Sequence, residues 1–236
     1  MKNLVKLLSL LLALCVVLCA CGTTSDRDFD NKNDDKETTE ATTEATTLPA
    51  ANDEELLKGK WTAFVDCGPV FNTMMTEALG TEISRYLDFT GKGFDLILSF
   101  DGIDSYSLEL DKTSLEVFAD DVVDIVLTGM RAYLTDALEN ELKGMDLDEY
   151  LASVGTSFDA LMVESGLDAE VLADTMVSSF DGVNTTGKYS VENGKLNLDG
   201  TVHPYELGNN SMTIELPEGS TDSSIEFLFP MELEKN

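Results

Sequence analysis

The 236-residue chain has one histidine, His203, four cysteines and 45 Asp and Glu residues with which to do chemistry. A Ser-His-Asp or Cys-His arrangement needs a base, a nucleophile within hydrogen-bond reach and a third group that orients the base. Only His203 could be that base. Pro204 follows it, and Tyr205 and Leu207 alternate with it, which is the spacing of a short strand. It therefore reads as an inward-facing or rim residue of a sheet. Zinc prefers sets of His and Cys ligands, in which the chain is poor. Asp26, Asp28, Asp30, Asp34 and Glu37 fall on positions 1, 3, 5, 9 and 12 of a calcium-binding loop. Asn31 stands at position 6, where the sharp turn wants Gly, and no helical pattern flanks the run, so a solvated acidic spacer is the simpler reading. No carboxylate pair stands out for glycoside cleavage, whose geometry is spatial, and neither a P-loop nor a G-x-G-x-x-G occurs. The expectation is a protein that is not an enzyme and that carries no metal or cofactor.

The remaining reactive position is Cys21. Lys2 and Lys6 precede an apolar run from Leu7 to Ala20 that is interrupted only by Ser9. As a helix the run spans about 21 Å, short of the roughly 30 Å hydrocarbon core, so it reads as a signal peptide and not as a membrane span. It ends Leu18-Cys19-Ala20-Cys21-Gly22, which resembles a bacterial lipobox. The resemblance implies cleavage before Cys21, a thioether-linked diacylglyceryl group on its sulfur, further acylation of the palmitate kind, and a lipid-anchored lipoprotein on the outer face of the bacterial cell membrane. Two acyl chains at ~0.8 kcal/mol per buried CH₂ anchor stably, where one does so marginally. After cleavage, 13 Lys and Arg stand against 45 acids, a net charge of −32. That balance argues against nucleic acid, which needs basic patches, and against a second, electrostatic grip on anionic lipid. With Cys21 lipidated, Cys67 has no intramolecular partner and reads as a small buried apolar residue.

The elements that must position these residues follow from periodicity. Residues 1–20 are the signal peptide. Residues 21–55 are the lipidated Cys and a spacer rich in acids and Thr, with little to pack and disorder as the expected state. The domain spans 56–236. Gly59 to Val65 reads as a strand, and Val70 to Leu87 as a helix weakened at Gly80. Phe94, Leu96, Leu98 and Phe100 alternate, Asp101-Gly102 turns the chain, and Tyr106, Leu108 and Leu110 return. Thr113-Ser114-Leu115-Glu116 matches a capping box. Behind it Leu115, Phe118, Val122, Val126, Met130, Tyr133 and Leu134 make one helical stripe, followed by three short helical units punctuated by Gly155 and Gly166. From Thr186 five strands return, joined by tight turns such as Asn193-Gly194, with the last placed around Ile225 to Phe229. The prediction is an α+β fold: an antiparallel up-and-down β-barrel of about eight strands with a helical insertion at about 113–183 between strands three and four. An open sheet with the helices on its apolar face is the rival.

Gly59-Lys60-Trp61, at the start of the first strand, is similar to the G-x-W motif of lipocalins. The run from Gly187 through Asn193-Gly194-Lys195-Leu196 to Ile214 resembles the lipocalin-like domains of uncharacterised bacterial lipoproteins. The resemblance covers about 110 residues of strands and turns. It implies that Trp61 packs across the closed end of a barrel, where lipocalins usually set an Arg from the last strand over the ring. This chain has no Arg there; Lys235 is the nearest cation and lacks the planar fork. Small barrels are either filled by side chains or hold one ligand. Phe64, Phe94, Leu96, Phe100, Tyr106, Tyr189, Tyr205 and Phe227, with Trp61, are the candidate lining of a site for a small apolar ligand or a peptide. The second reading is a structural or interaction lipoprotein of the cell envelope. In that reading the insertion, with 16 acids against 2 bases over 113–183, is the docking face for an envelope protein. The sequence leaves the oligomeric state open.

Overall fold

The computed structural model describes residues 53–142, 144–180, 184–217, 219–220 and 228–236. The signal peptide, Cys21, nearly all of the spacer with its acidic run, and Phe227 lie outside the described residues. The domain opens with α1 (Asp53–Leu57), β1 (Gly59–Asp66), α2 (Gly68–Leu79) and α3 (Thr81–Ser84). β2 (Gly93–Phe100) and β3 (Ser105–Leu110) follow. Next come α4 (Lys112–Ala137), α5 (Glu139–Leu142), α6 (Leu147–Ser153), α7 (Phe158–Glu164) and α8 (Ala169–Ser179). The chain then returns to β4 (Thr185–Glu192), β5 (Lys195–Leu198), β6 (Thr201–Leu207), β7 (Ser211–Ile214) and β8 (Met231–Lys235).

The eight strands close into an antiparallel up-and-down barrel in sequence order, β8 pairing with β1. Closure follows from the alternation of residue types. Every strand has one apolar face, and pairing the last strand with the first leaves no edge to protect. On β2, Phe94, Leu96, Leu98 and Phe100 all point inward. The register sets Trp61 opposite Leu98, Ala63 opposite Leu96 and Val65 opposite Phe94. Because side chains alternate with period two, that register turns Phe64 outward, where it is 55% exposed. The expectation that Phe64 lines the interior is therefore corrected.

Local chemistry explains the remaining departures. The helix read over Val70–Leu87 is two helices, because Gly80 takes φ = 74°, a left-handed conformation that breaks the α-helical ladder and that glycine adopts without steric cost. The capping box is displaced by two residues: Asp111, not Thr113, caps α4 and accepts a hydrogen bond from the Ser114 N–H at 2.9 Å. Ser114 Oγ instead accepts from the Asp95 amide, joining helix to strand. The last described strand is Met231–Lys235; of the strand expected around Ile225 to Phe229, residues 225–227 lie outside the described residues. Asn193 and Gly194 have φ of 53° and 71°, the type I′ turn their sequence calls for. Three short insertion helices repeat one N-terminal device at 11-residue spacing: Asp146, Ser157 and Asp168 each accept from the backbone N–H three residues on.

Two layers cover the barrel. At the Gly59 end, α1 is the plug. At the Asp66 end an aromatic cluster joins the barrel to the helices: Phe118 of α4 meets Phe71 of α2 at 5.4 Å and Phe94 of β2 at 5.8 Å, and Phe94 meets Phe180 at 5.4 Å. Such edge and tilted pairs add roughly 0.5–1.5 kcal/mol each beyond area burial. The buried stripe of α4, from Leu115 and Phe118 through Val122 and Val126 to Met130, follows the periodicity in the sequence.

Candidate functional site

The barrel interior is where the sequence places a ligand, so its occupancy matters first. Trp61, Leu98, Leu196, Met212, Ile214 and Leu233 meet inside, each at 2% exposure or less. Phe94, Leu96, Phe100 and Tyr189 are also buried, and Phe100 and Tyr189 make an edge contact at 4.8 Å. Tyr106 and Tyr205 are half-buried and reach the rims. The Tyr205 hydroxyl donates to Asp53 Oδ2 at 2.7 Å, tying β6 to the plug, and burial followed by that bond pushes its pKa up. Four concavities among the described residues are open at the surface.

The plugged end has a definite electrostatic construction. The Trp61 indole N–H donates to the Leu57 carbonyl at 2.6 Å. Lys235, from the last strand, places Nζ 5.0 Å from the Trp61 ring centroid and donates to the Leu56 carbonyl at 2.6 Å. The ammonium thus takes the place over the Trp that the resemblance assigned to an arginine. One hydrogen bond to a carbonyl needs no planar fork.

His203 is buried. Its Nδ1 lies 3.1 Å from the Glu215 carbonyl, and its ring stacks on Phe229 at 5.5 Å. The carbonyl can only accept, so Nδ1 carries the proton in this contact. Burial lowers its pKa, the carbonyl opposing. The Cys67 thiol is buried and pushed up to about 12 by burial and then by Asp66, so it stays protonated at neutral pH. The Tyr189 hydroxyl is buried, and burial raises its pKa against an opposing hydrogen bond with the Gly102 backbone.

A second site, which periodicity alone could not reveal, lies between α4 and α8. These helices pack through Val122, Val126, Leu172 and Met176, all buried. Beside that seam runs a groove of about 430 Å³. Its apolar lining is Val123, buried, Leu127 and Ala173, half-buried, and Ala169, exposed; its exposed acids are Asp120 and Asp124 from α4 and Glu170 and Asp174 from α8. Each acidic pair stands at i and i+4, where like charges cost a helix roughly 0.2–0.5 kcal/mol. Among the described residues none of the four has an ion-pair partner, while neighbouring acids do. Asp121 holds Lys92 at 2.8 Å and Glu116 holds Lys112 at 3.7 Å. Asp148 takes both bonds from Arg131 Nη1, whose guanidinium also lies over Phe158 at 4.3 Å.

No protein-family model, curated protein or solved structure matches this chain. Its function has to be argued from the geometry alone. Among the described residues no group of three or more His, Cys, Asp or Glu could hold a metal ion, and no helix is long and apolar enough to cross a membrane. The i, i+4 acids of the groove were visible in the sequence on each helix. What joins them is the packing of α8 on α4, across more than 30 intervening residues.

Proposed function

We propose that this protein is a lipid-anchored extracytoplasmic docking module of the lipocalin-like kind. Its barrel is a scaffold, and its helical insertion is the face presented to an envelope partner. The carrying observation is the contrast between a barrel interior filled by buried side chains and an α4–α8 groove whose rim carboxylates have no ion-pair partner among the described residues. A filled interior favours this reading over a ligand held inside the barrel. The acidic, Thr-rich composition between Cys21 and the domain is that of a tether, which supports it too.

Two experiments test it. Photo-crosslinkers placed at Asp124 and Glu170 on the insertion, and at Phe64 and Ser99 on the barrel, should give one discrete adduct from the insertion positions and none from the barrel. Equal labelling from all four positions, or a small molecule retained inside the barrel in native mass spectrometry, would overturn the docking role. Cys21→Ala should release the protein or leave it as an uncleaved precursor; normal membrane retention would undo the anchor.

A further inference from the structure

Resting on the reading of the insertion as a docking face, we propose that the α4–α8 groove binds a basic amphipathic peptide segment. Such a segment would carry Lys or Arg on both flanks of a narrow apolar stripe. The rim supplies two carboxylates on each side, Asp120 and Asp124 from α4 and Glu170 and Asp174 from α8, and the apolar strip between them is Val123, Leu127 and Ala173, with Ala169 exposed at its edge. Short alanine side chains keep the strip shallow, which suits a narrow stripe or the methylene stems of long cations.

The competing occupants fit less well. A single divalent cation needs several carboxylates converging on one point, and no such group of three exists among the described residues. A purely apolar ligand would leave the four charges uncompensated, and a purely cationic chain would leave the apolar strip wet. Nucleic acid is repelled by the rim. Among the described residues no Lys or Arg forms an ion pair with the four rim carboxylates. Arg131, on the same helix, is already committed to Asp148 and Phe158. Like-charge pairs at i and i+4 work against their own helices, and a cationic partner would offset that repulsion.

The test uses the chain from Cys21 to Asn236 without its lipid and reads fluorescence anisotropy at fixed ionic strength. The probes are a labelled 14-residue Lys/Leu/Ala amphipathic peptide, an oligolysine of equal charge, and the amphipathic peptide with Glu for Lys. The amphipathic cation should bind, the Glu version should not, and oligolysine should bind more weakly. Neutralising the rim by Asp120→Asn, Asp124→Asn, Glu170→Gln and Asp174→Asn together should weaken the amphipathic peptide about tenfold, the sum expected of four exposed ion pairs. An equal charge change on exposed barrel positions, Glu192→Gln, Glu206→Gln, Glu232→Gln and Glu234→Gln, should weaken it no more than ~threefold through screened long-range charge. Ala173→Phe, which fills the apolar strip at constant charge, should weaken the amphipathic peptide and leave oligolysine unchanged. Equal losses from both charge sets, or oligolysine binding as tightly as the amphipathic peptide, would overturn the groove. If cross-links still map to the insertion after such a failure, the docking face stands with a partner of other chemistry; if neither result holds, both fall.

Discussion

In the barrel, scarce cations are placed where they join elements: Lys188 of β4 reaches Asp104 at 2.8 Å, and Lys235 of β8 bridges Trp61 and the Leu56 carbonyl of the plug. In the insertion, Arg131 does the same for α4, α6 and α7, but the carboxylates far outnumber the bases there. The acids that line the groove between α4 and α8 have no ion-pair partner among the described residues. The barrel hides its apolar face, and Lys188 and Lys235 tie its elements together. The insertion leaves charge and a strip of apolar surface together in a groove. A structural element has its partners in the same chain, and a docking surface does not.

The comparison breaks most sharply at Trp61. Trp61→Ala opens a cavity in a filled interior and removes the indole bond to Leu57, and should cost about 3–5 kcal/mol in urea unfolding. Phe64→Ala, three residues away on the outer face, should change stability by under ~1 kcal/mol. Comparable costs at the two positions would mean that the interior is not the filled core described.

Gly187 gives the next largest effect. A Cβ there would lie 1.9 Å from an Asp199 carboxylate oxygen. That carboxylate is fixed by the Lys188 amide at 2.7 Å and by the Tyr106 hydroxyl at 2.9 Å. Gly187→Ala should therefore cost about 1–3 kcal/mol by overpacking, and Asp199→Ala in the same chain should recover part of it, a coupling that a double-mutant cycle reads directly. On the insertion, Arg131→Met keeps the stem and loses the ion pair and the contact with Phe158. Both partners are partly exposed, so the expected loss is about 1 kcal/mol. A null result there would mean that the short helices hold to α4 by apolar contact alone.

Much of this architecture could be read from residue types because strand alternation, turn dipeptides and helical stripes are local signals. Phe94 to Phe100 announces a one-sided strand, and Asn193-Gly194 announces its turn. The features that were missed depend on comparisons across the chain. Thr113 matches a capping box as well as Asp111 matches a cap; the chain uses Asp111, and the Asp95 amide of β2 donates to Ser114 Oγ beside it. Phe64 looked like core because it is large and apolar, yet parity with Trp61 and Val65 puts it outside. Lys235 was discounted for lacking an arginine's geometry, although the plug offers it a single carbonyl. The groove needed two helices brought together by an intervening segment, and no period in the sequence encodes that meeting.

The smallest predicted effect concerns pH and separates the regions by a single proton. His203 is neutral in the fold, with its pKa lowered from 6.5 by burial. Its unfolded form takes up a proton near pH 6.5, before the folded form does. Stability therefore falls as pH drops through 6.5 toward the folded value, and is fully present above it. Between pH 7.5 and 5.5 the wild-type chain should lose stability on acidification. His203→Asn keeps a donor toward the Glu215 carbonyl and cannot titrate, so it should be less stable throughout and flatter with pH. The slope is the readout, since loss of packing against Phe229 moves the intercept alone. Binding at the groove should keep its affinity over the same range in His203→Asn and in wild type, because the proton enters the barrel and the partner's charges meet the insertion. A shared pH dependence would show that barrel and insertion act as one body.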